Sequence, residues 1–209
     1  GSSGKPLLGA LTKVTSDNGY QKTPSYDNLG RISSVLYQVD TTYTQSSTYD
    51  SYGRMETFTY PTGIAYKNVY DANGYLKEVR KADASNALYW RADSIDAEGH
   101  VTQETLGNGL VTKRSYDAAS GRISNISTGP NGTATIQNES YQFDYLGNLN
   151  YRTEGINAVT EMFQYDALNR LTQAQIVNGS TKTASYDLLG NITARSDVGT
   201  YTYDTTRVH

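Results

Sequence analysis

Recurring aspartates are the residues of this sequence best placed to do chemistry. Nine of them follow a Tyr, Phe or Ile, and in eight copies a Gly or Asn stands three or four positions later. Regularly spaced carboxylates predict either a calcium-binding array or a set of turn-closing side chains. The motif offers one carboxylate per copy and no dense acidic loop, so we predict turns, and we expect no metal and no cofactor.

The predicted turn residues share the pattern aromatic-Asp-x-x-Gly. They are Tyr26, Asp27, Gly30, Tyr49, Asp50, Gly53, Tyr70, Asp71, Gly74, Asp96, Gly99, Tyr116, Asp117, Gly121, Phe143, Asp144, Gly147, Tyr165, Asp166, Asn169, Tyr186, Asp187, Gly190, Tyr203 and Asp204. The copies begin 17 to 27 residues apart. A fixed motif with variable spacing predicts a rigid turn whose connecting segments differ in length.

One departure from the pattern indicates the backbone geometry. Asn169 stands where Gly190 stands in the next copy. Glycine enters the left-handed region without steric cost, and asparagine is one of the few other residues that tolerate it. The exchange therefore predicts a type I turn closed by a residue of positive φ. Ser120 is an inserted residue before Gly121.

Tyrosine is unusually common, with 19 copies against a single tryptophan. Sugars stack on aromatic rings, which suggests a glycan-binding surface; Tyr89 and Trp90 are the candidate contacts. Most tyrosines, however, fall at one strand phase beside the turn, which favours a ladder of packed rings. We therefore predict a core built largely from tyrosine rings, and Tyr89–Trp90 could equally be a local packing plug.

Four arginines follow the turn glycine or asparagine: Arg31, Arg54, Arg122 and Arg170. We predict that they pair with turn carboxylates of neighbouring copies. An anion-binding role is the alternative, but scattered cations in an acidic chain produce a weak positive field.

Catalysis has no support in the sequence. His100 falls in a turn and His209 is terminal. No nucleophile triad, zinc-binding helix or phosphate loop is present, and cysteine is absent. We predict that the protein is not an enzyme.

Composition excludes two classes of partner. The chain of 209 residues carries a net charge of −3. It lacks the basic footprint of nucleic-acid binding, and no apolar run approaches the roughly 20 residues that span a bilayer. We predict residues 1–4 to be an expression scar and residues 5–209 to be a repeat array, a fragment of a longer chain.

The segments that position the motifs are predicted to be β-strands. Rings recur two apart before the turns, as at Phe163 and Tyr165, which places them on one face. After the turns the period is irregular: Leu76 and Val79 are three apart, which predicts either a bulge or burial on both faces. Gly-rich signals such as those at 107–109 and 178–180 predict a second set of turns.

Together these signals predict an all-β fold of repetitive antiparallel β-hairpins. Nine units give about 16–18 strands, and open sheets rarely exceed about 10 strands without curling. We therefore expect a curved, spiralling sheet in which each unit contacts its neighbours.

The array resembles the YD repeats of the RHS (rearrangement hot spot) family over roughly residues 20–205. The stretch YDLLGNI at 186–192, followed by DVGTYTY at 197–203, is especially similar to bacterial RHS proteins. The resemblance implies hairpin strips that form a hollow RHS-type shell around a C-terminal toxin, and in animal teneurins a related barrel acts in cell adhesion. No residue here matches the family's self-cleavage segment, so cleavage and toxicity are not predicted.

The expected role is therefore that of a non-catalytic shell segment in a secreted or cell-surface bacterial protein. Its expected partners are an enclosed toxin polypeptide or neighbouring shell segments, with no nucleic acid and no membrane insertion. The alternative is a cell-surface glycan-binding or adhesion module.

Overall fold

A computed structural model describes residues 9–204, and the fold there is all-β with 18 strands in antiparallel pairs. The all-β class and the array of antiparallel hairpins are thus confirmed. The expression scar predicted at residues 1–4 lies outside the described residues. Within residues 9–204 no helix is long and apolar enough to cross a membrane.

The chain divides into two compact units, which we describe separately. Unit 1 comprises residues 9–93 with 105–108, and unit 2 comprises residues 94–104 with 109–204. The division falls within the eighth and ninth strands.

Unit 1 is a run of hairpins in which each strand pairs with its neighbour in sequence. Its strands are β1 (Val14–Thr15), β2 (Gln21–Tyr26), β3 (Ile32–Gln38), β4 (Thr42–Tyr49), β5 (Met55–Thr59), β6 (Ala65–Tyr70), β7 (Leu76–Lys81) and the greater part of β8 (Leu88–Ile95).

Unit 2 repeats the same plan. Its strands are the greater part of β9 (Val101–Leu106), then β10 (Leu110–Tyr116), β11 (Ile123–Pro130), β12 (Gln137–Phe143), β13 (Leu149–Glu154), β14 (Val159–Tyr165), β15 (Leu171–Ile176), β16 (Thr181–Tyr186), β17 (Ile192–Arg195) and β18 (Gly199–Thr200). From β10 onward, each strand pairs with the next.

A β-bulge follows the turn in the YD hairpins and explains the irregular period. Val69 lies opposite Glu78, but Tyr70 lies opposite Leu76, so Lys77 is an extra residue. The extra residue returns Leu76 and Val79 to the same face of the sheet. Of the two predicted explanations, the bulge is therefore correct. The same shift occurs at Tyr26, Tyr49, Tyr116, Phe143, Tyr165 and Tyr186.

The expected tyrosine core takes a different form. Among the described residues no large side chain is fully buried, and the buried hydrophobic residues are Val35 and Ala92 alone. The motif rings from Tyr26 to Tyr186 are half-buried instead. Since each unit is built from hairpins laid side by side, a ring is covered by neighbouring side chains and hairpins rather than by a second layer.

Candidate functional site

The YD turns line one edge of each unit, because alternate turns of an antiparallel hairpin array lie at opposite ends of the strands. We call this row of turns the YD edge, and the row at the other strand ends the loose edge. The turn at Asp187 shows the shared geometry. One carboxylate oxygen, Oδ1, accepts the backbone N–H groups of Leu189 and Asn191, each at 2.9 Å.

The backbone closes the same turn with two further hydrogen bonds. The N–H of Asp187 donates to the carbonyl of Asn191 at 3.0 Å, and the N–H of Gly190 donates to the carbonyl of Asp187 at 3.2 Å. Equivalent carboxylate and backbone bonds close the turns at Asp27, Asp50, Asp71, Asp96 and Asp166, and at Asp144 the carboxylate accepts Asn148 N–H. Every one of these aspartates is thus engaged within its own turn.

The residue three or four positions after the aspartate occupies the left-handed region at every complete YD turn. Asn169 has a φ of 60°, and Gly190 has a φ of 96°. The other turn glycines also have positive φ: Gly30, Gly53, Gly74, Gly99, Gly121 and Gly147. An asparagine can hold this position because its short polar side chain tolerates the conformation better than other non-glycine residues do.

The fifth turn absorbs the inserted Ser120 without losing the motif. Gly121 N–H donates to the carbonyl of Asp117 at 2.8 Å across a turn one residue longer. Ser120 donates to Asp117 Oδ1 through both its N–H, at 2.8 Å, and its hydroxyl, at 2.7 Å. The insertion therefore supplies its own partner for the carboxylate.

The arginines pair within their own turns, so the prediction of pairing between copies is wrong. Both Nε and Nη2 of Arg54 lie 2.7 Å from Oδ2 of Asp50. Arg31 with Asp27 and Arg170 with Asp166 repeat this contact. The physical reason is local: the tight turn places the side chain four residues on beside the free carboxylate oxygen. For Arg122, after the longer turn, no ion pair with Asp117 is observed.

The flat face of each of these guanidinium groups covers the motif ring of the next copy. Arg31 lies 4.3 Å from the ring centre of Tyr49, Arg54 lies 4.2 Å from Tyr70, and Arg170 lies 4.6 Å from Tyr186. Such cation–π contacts contribute about 0.5–1 kcal/mol at exposed sites. Sequence reasoning missed this partner, although each of these arginines is followed 16 to 18 residues later by a motif tyrosine, which could have indicated it.

Histidine and asparagine replace arginine in some copies and keep part of its role. His100 Nδ1 lies 2.9 Å from Oδ2 of Asp96, and its ring stacks on Tyr116 at 4.3 Å. Asn148 Nδ2 donates to Asp144 at 2.9 Å and also to Asn169 of the next turn at 2.9 Å. The position after the turn glycine or asparagine therefore links copies through Arg31, Arg54, His100, Asn148 and Arg170.

Tyrosine hydroxyls form the second link between copies. The Tyr186 hydroxyl donates to the carbonyl of Leu171 at 2.7 Å, in the strand that follows the previous turn. The same bond recurs for Tyr26, Tyr49, Tyr70, Tyr165 and Tyr203, at 2.8 to 3.1 Å. These hydroxyls therefore tie each motif ring to the backbone of another strand.

The turn geometry lowers the carboxyl pKa values. Backbone N–H of Arg31 and of Arg170 are the main causes that lower the pKa of Asp27 and Asp166, respectively. Side-chain hydrogen bonds from Asn148 and from Asn191 chiefly lower the pKa of Asp144 and Asp187. The carboxylates are therefore held ionised, as a structural acceptor must be, rather than poised to exchange protons near neutrality.

The candidate glycan contacts differ in exposure. Trp90 lies opposite Val79 and is half-buried, whereas Tyr89 is the extra residue of a bulge and is exposed. A glycan contact at Tyr89 and Trp90 remains a prediction.

One turn of the loose edge has the same backbone closure and escaped the sequence reasoning. Gly19 N–H donates to the carbonyl of Ser16 at 3.0 Å, Ser16 N–H donates to the carbonyl of Tyr20 at 3.0 Å, and Gly19 has a φ of 86°. Serine stands where the motif has aspartate, and no aromatic residue precedes it. The glycine at 19, eleven residues before Gly30, was the available signal.

Metal binding finds no support in the described part of the chain. Residues 9–204 contain no cluster of three or more His, Asp or Glu side chains arranged to hold an ion. The aspartates of successive turns are each used in a separate turn, as described above.

Comparison with known proteins agrees with this geometry. Residues 96–134 match the family model described as RHS Repeat. No curated protein matches the chain significantly.

Solved structures share the fold at low sequence identity. The Tc holotoxin pore of Photorhabdus luminescens matches 88% of this chain with a TM-score of 0.73 and 20% identity, over 11% of its own chain. The TcdB2–TccC3–TEV and TcdB2–TccC3 crystal structures match 88% of this chain with TM-scores of 0.76 and 0.74 and identities of 20% and 21%. This chain spans only 12% of the length of either. Residues 96–134 therefore carry an RHS repeat, which confirms the family resemblance of the sequence, and the solved structures share the fold of the chain.

Proposed function

We propose that this chain is a non-catalytic wall segment of an RHS-type β-shell, which encloses or presents another polypeptide in a larger secreted or cell-surface protein. The observation that carries the proposal is the use of the motif side chains. In most turns the carboxylate closes its own turn, and the next residues link one copy to the following one. Few of the recurring charged and polar side chains are therefore free to bind a substrate.

The fold likeness supports the same role, because the similar structures belong to toxin complexes. They are a holotoxin pore and TcdB2–TccC3 assemblies. The enclosed toxin, the secreted or cell-surface location and the boundary of the array at residues 5–209 are parts of the proposal.

Protease protection tests the enclosure. The polypeptide encoded by the whole parent gene should keep the segment after residue 209 intact under limited proteolysis. Gly53→Val and Gly190→Val, which strain two turns, should make that segment accessible. Leu29→Ser, at an exposed turn position, is the matched control. Equal cleavage of all variants and of the unchanged protein would contradict enclosure.

A further inference from the structure

Unit 2 has an apolar depression on one face of the sheet formed by β15, β16 and β17. Two small side chains, Ala174 and Ala184, line it. Ala174 lies opposite Phe163 of β14, and Ala184 comes two residues before Tyr186, so both alanines share a face with aromatic rings. Two methyl groups among larger side chains leave a depression with a volume of 290 Å³.

Larger apolar side chains surround the alanines at the end of the strands nearer the YD edge. Leu171, Tyr186 and Ile192 line the depression there. The Tyr186 ring is fixed from two sides, because its hydroxyl donates to the carbonyl of Leu171 at 2.7 Å and Arg170 lies 4.6 Å from its centre. The apolar wall is therefore ordered in the absence of a ligand, which reduces the entropic cost of binding one.

Two cationic side chains line the other end of the depression. Lys182 lies opposite Ala174, and Arg195 lies opposite Ala184, so both share the face of the alanines. They also share one carboxylate, since Lys182 Nζ is 3.2 Å and Arg195 Nη2 is 2.9 Å from Oδ2 of Asp197. Two cations and one carboxylate leave one net positive charge at this end.

The neighbouring charged groups do not cancel that charge. In β14, Glu161 pairs with Arg152. Near the YD edge, Arg170 pairs with Asp166, and the Asp187 carboxylate closes its own turn. None of these five side chains lines the depression. Because Asp187 is negative at one end and the cations lie at the other, an anionic group is directed towards Lys182 and Arg195.

We propose that this depression binds a small carboxylic acid with an aliphatic or aromatic body. The body contacts Ala174, Ala184 and Tyr186, and the carboxylate pairs with Lys182, whose side chain is 60% exposed and free to turn away from Asp197. At roughly 30 Å³ for each water-sized group, the volume has room for about nine or ten non-hydrogen atoms. An apolar wall with a few convergent polar groups is the usual composition of a small-molecule site.

The affinity is expected to be low, because the depression is open to solvent and an exposed ion pair contributes little. A ligand of eight non-hydrogen atoms should bind with a Kd of about 1–30 mM. Binding of a small acid is a property additional to the proposed enclosure of a polypeptide, and failure of one leaves the other standing.

Hexanoate and 1-hexanol are matched probes, because they share an apolar chain and differ in charge. Hexanoate added to the ¹⁵N-labelled chain should shift the amide resonances of Ala174 and Ala184 in a saturable manner, with a Kd about threefold lower than that of 1-hexanol. The absence of a saturable shift at several times the expected Kd, or equal Kd values for the two probes, would overturn the proposal. Tighter binding of acetyl-Leu-Asp-amide at the same resonances would also overturn it, since the site would then recognise a polypeptide.

Two pairs of variants separate the apolar contact from the charge. Ala184→Leu occupies the space of the ligand body and should weaken both probes by about fivefold or more. Ala167→Leu, at an exposed turn position where the next copy has Leu188, is its control.

Lys182→Gln should abolish the preference for hexanoate over 1-hexanol, whereas Lys67→Gln, which changes an exposed lysine of unit 1, should preserve it. Unchanged binding to Ala184→Leu, or a preference for hexanoate that persists in Lys182→Gln, would contradict the site. Far-ultraviolet circular dichroism verifies that each variant is folded.

Discussion

At the scale of single residues, the left-handed position of the turn is the most direct point to test. Gly190 has a φ of 96°, and a Cβ added there would meet nothing within 4 Å, so a substitution changes backbone strain alone. Gly190→Asn should lower the free energy of unfolding by about 1 kcal/mol, and Gly190→Val by about 2–3 kcal/mol, because a β-branched residue resists positive φ. Urea denaturation of the three chains measures both values, and equal losses would contradict the turn assignment.

Tyrosine hydroxyls provide the second residue-scale prediction. Tyr186→Phe removes the hydrogen bond from the Tyr186 hydroxyl to the Leu171 carbonyl, so it should cost about 1 kcal/mol. Tyr145→Phe is the matched control, since Tyr145 is exposed at a turn tip. Thermal melting compares the two, and a control loss as large as that of Tyr186→Phe would remove the hydroxyl's role.

The sequence predicts some of these contacts and not others, because it indicates contacts between residues close in the chain but not those between distant residues. The roles of Asp187 and Asn169 follow from bonds within five residues, which a one-dimensional reading can supply. The partners of Arg54, in contrast, could be identified only from the folded structure. Its carboxylate lies in its own turn and its ring, Tyr70, lies in the next copy, and sequence spacing alone allowed the opposite arrangement.

At the scale of the hairpin, close approach at the loose edge sets a different constraint. A Cβ on Gly129 would lie 1.8 Å from the carbonyl oxygen of Thr133, a backbone atom that cannot move aside alone. Gly129→Ala should therefore destabilise the chain by roughly 2–3 kcal/mol through overpacking. Gly109→Ala, whose Cβ meets nothing within 4 Å at a φ of 84°, should cost only about 1 kcal/mol. Chemical denaturation would contradict this view if Gly109→Ala were the more damaging change.

Strand number and hairpin order were predictable, whereas burial was not. A motif repeated nine times with alternating rings on its flanks allows few other folds, and 18 strands lie within the expected range. The bulge left an ambiguity at Leu76 and Val79 because one inserted residue reverses the facing of all that follow. The depth of burial depends on what covers the sheet, and a local pattern of rings carries no such information.

At the scale of the whole molecule, the stability contributed by the turns depends on the ionisation of their aspartate carboxylates. Hydrogen bonds to the ionised form lower the pKa of Asp27, Asp144, Asp166 and Asp187, with the backbone N–H of Arg31 the largest cause at Asp27. In the loop after β7, Lys81 and then Ser85 lower the pKa of Asp83 to about 2. In the unfolded chain an aspartate titrates near pH 3.9.

The sign of the pH dependence follows from these shifts. Since the folded pKa values lie below the unfolded value, the turns contribute their full stability above about pH 4 and lose it as the pH falls through the lowered folded values. Urea midpoints measured from pH 7 to pH 2 should stay level down to about pH 4 and then fall. Asp166→Asn removes one titrating turn, so its midpoint should be lower at pH 7 and fall less steeply. A wild-type midpoint that stays level or rises on acidification would show that the turn carboxylates do not support the fold, because protonation would then leave their contacts intact.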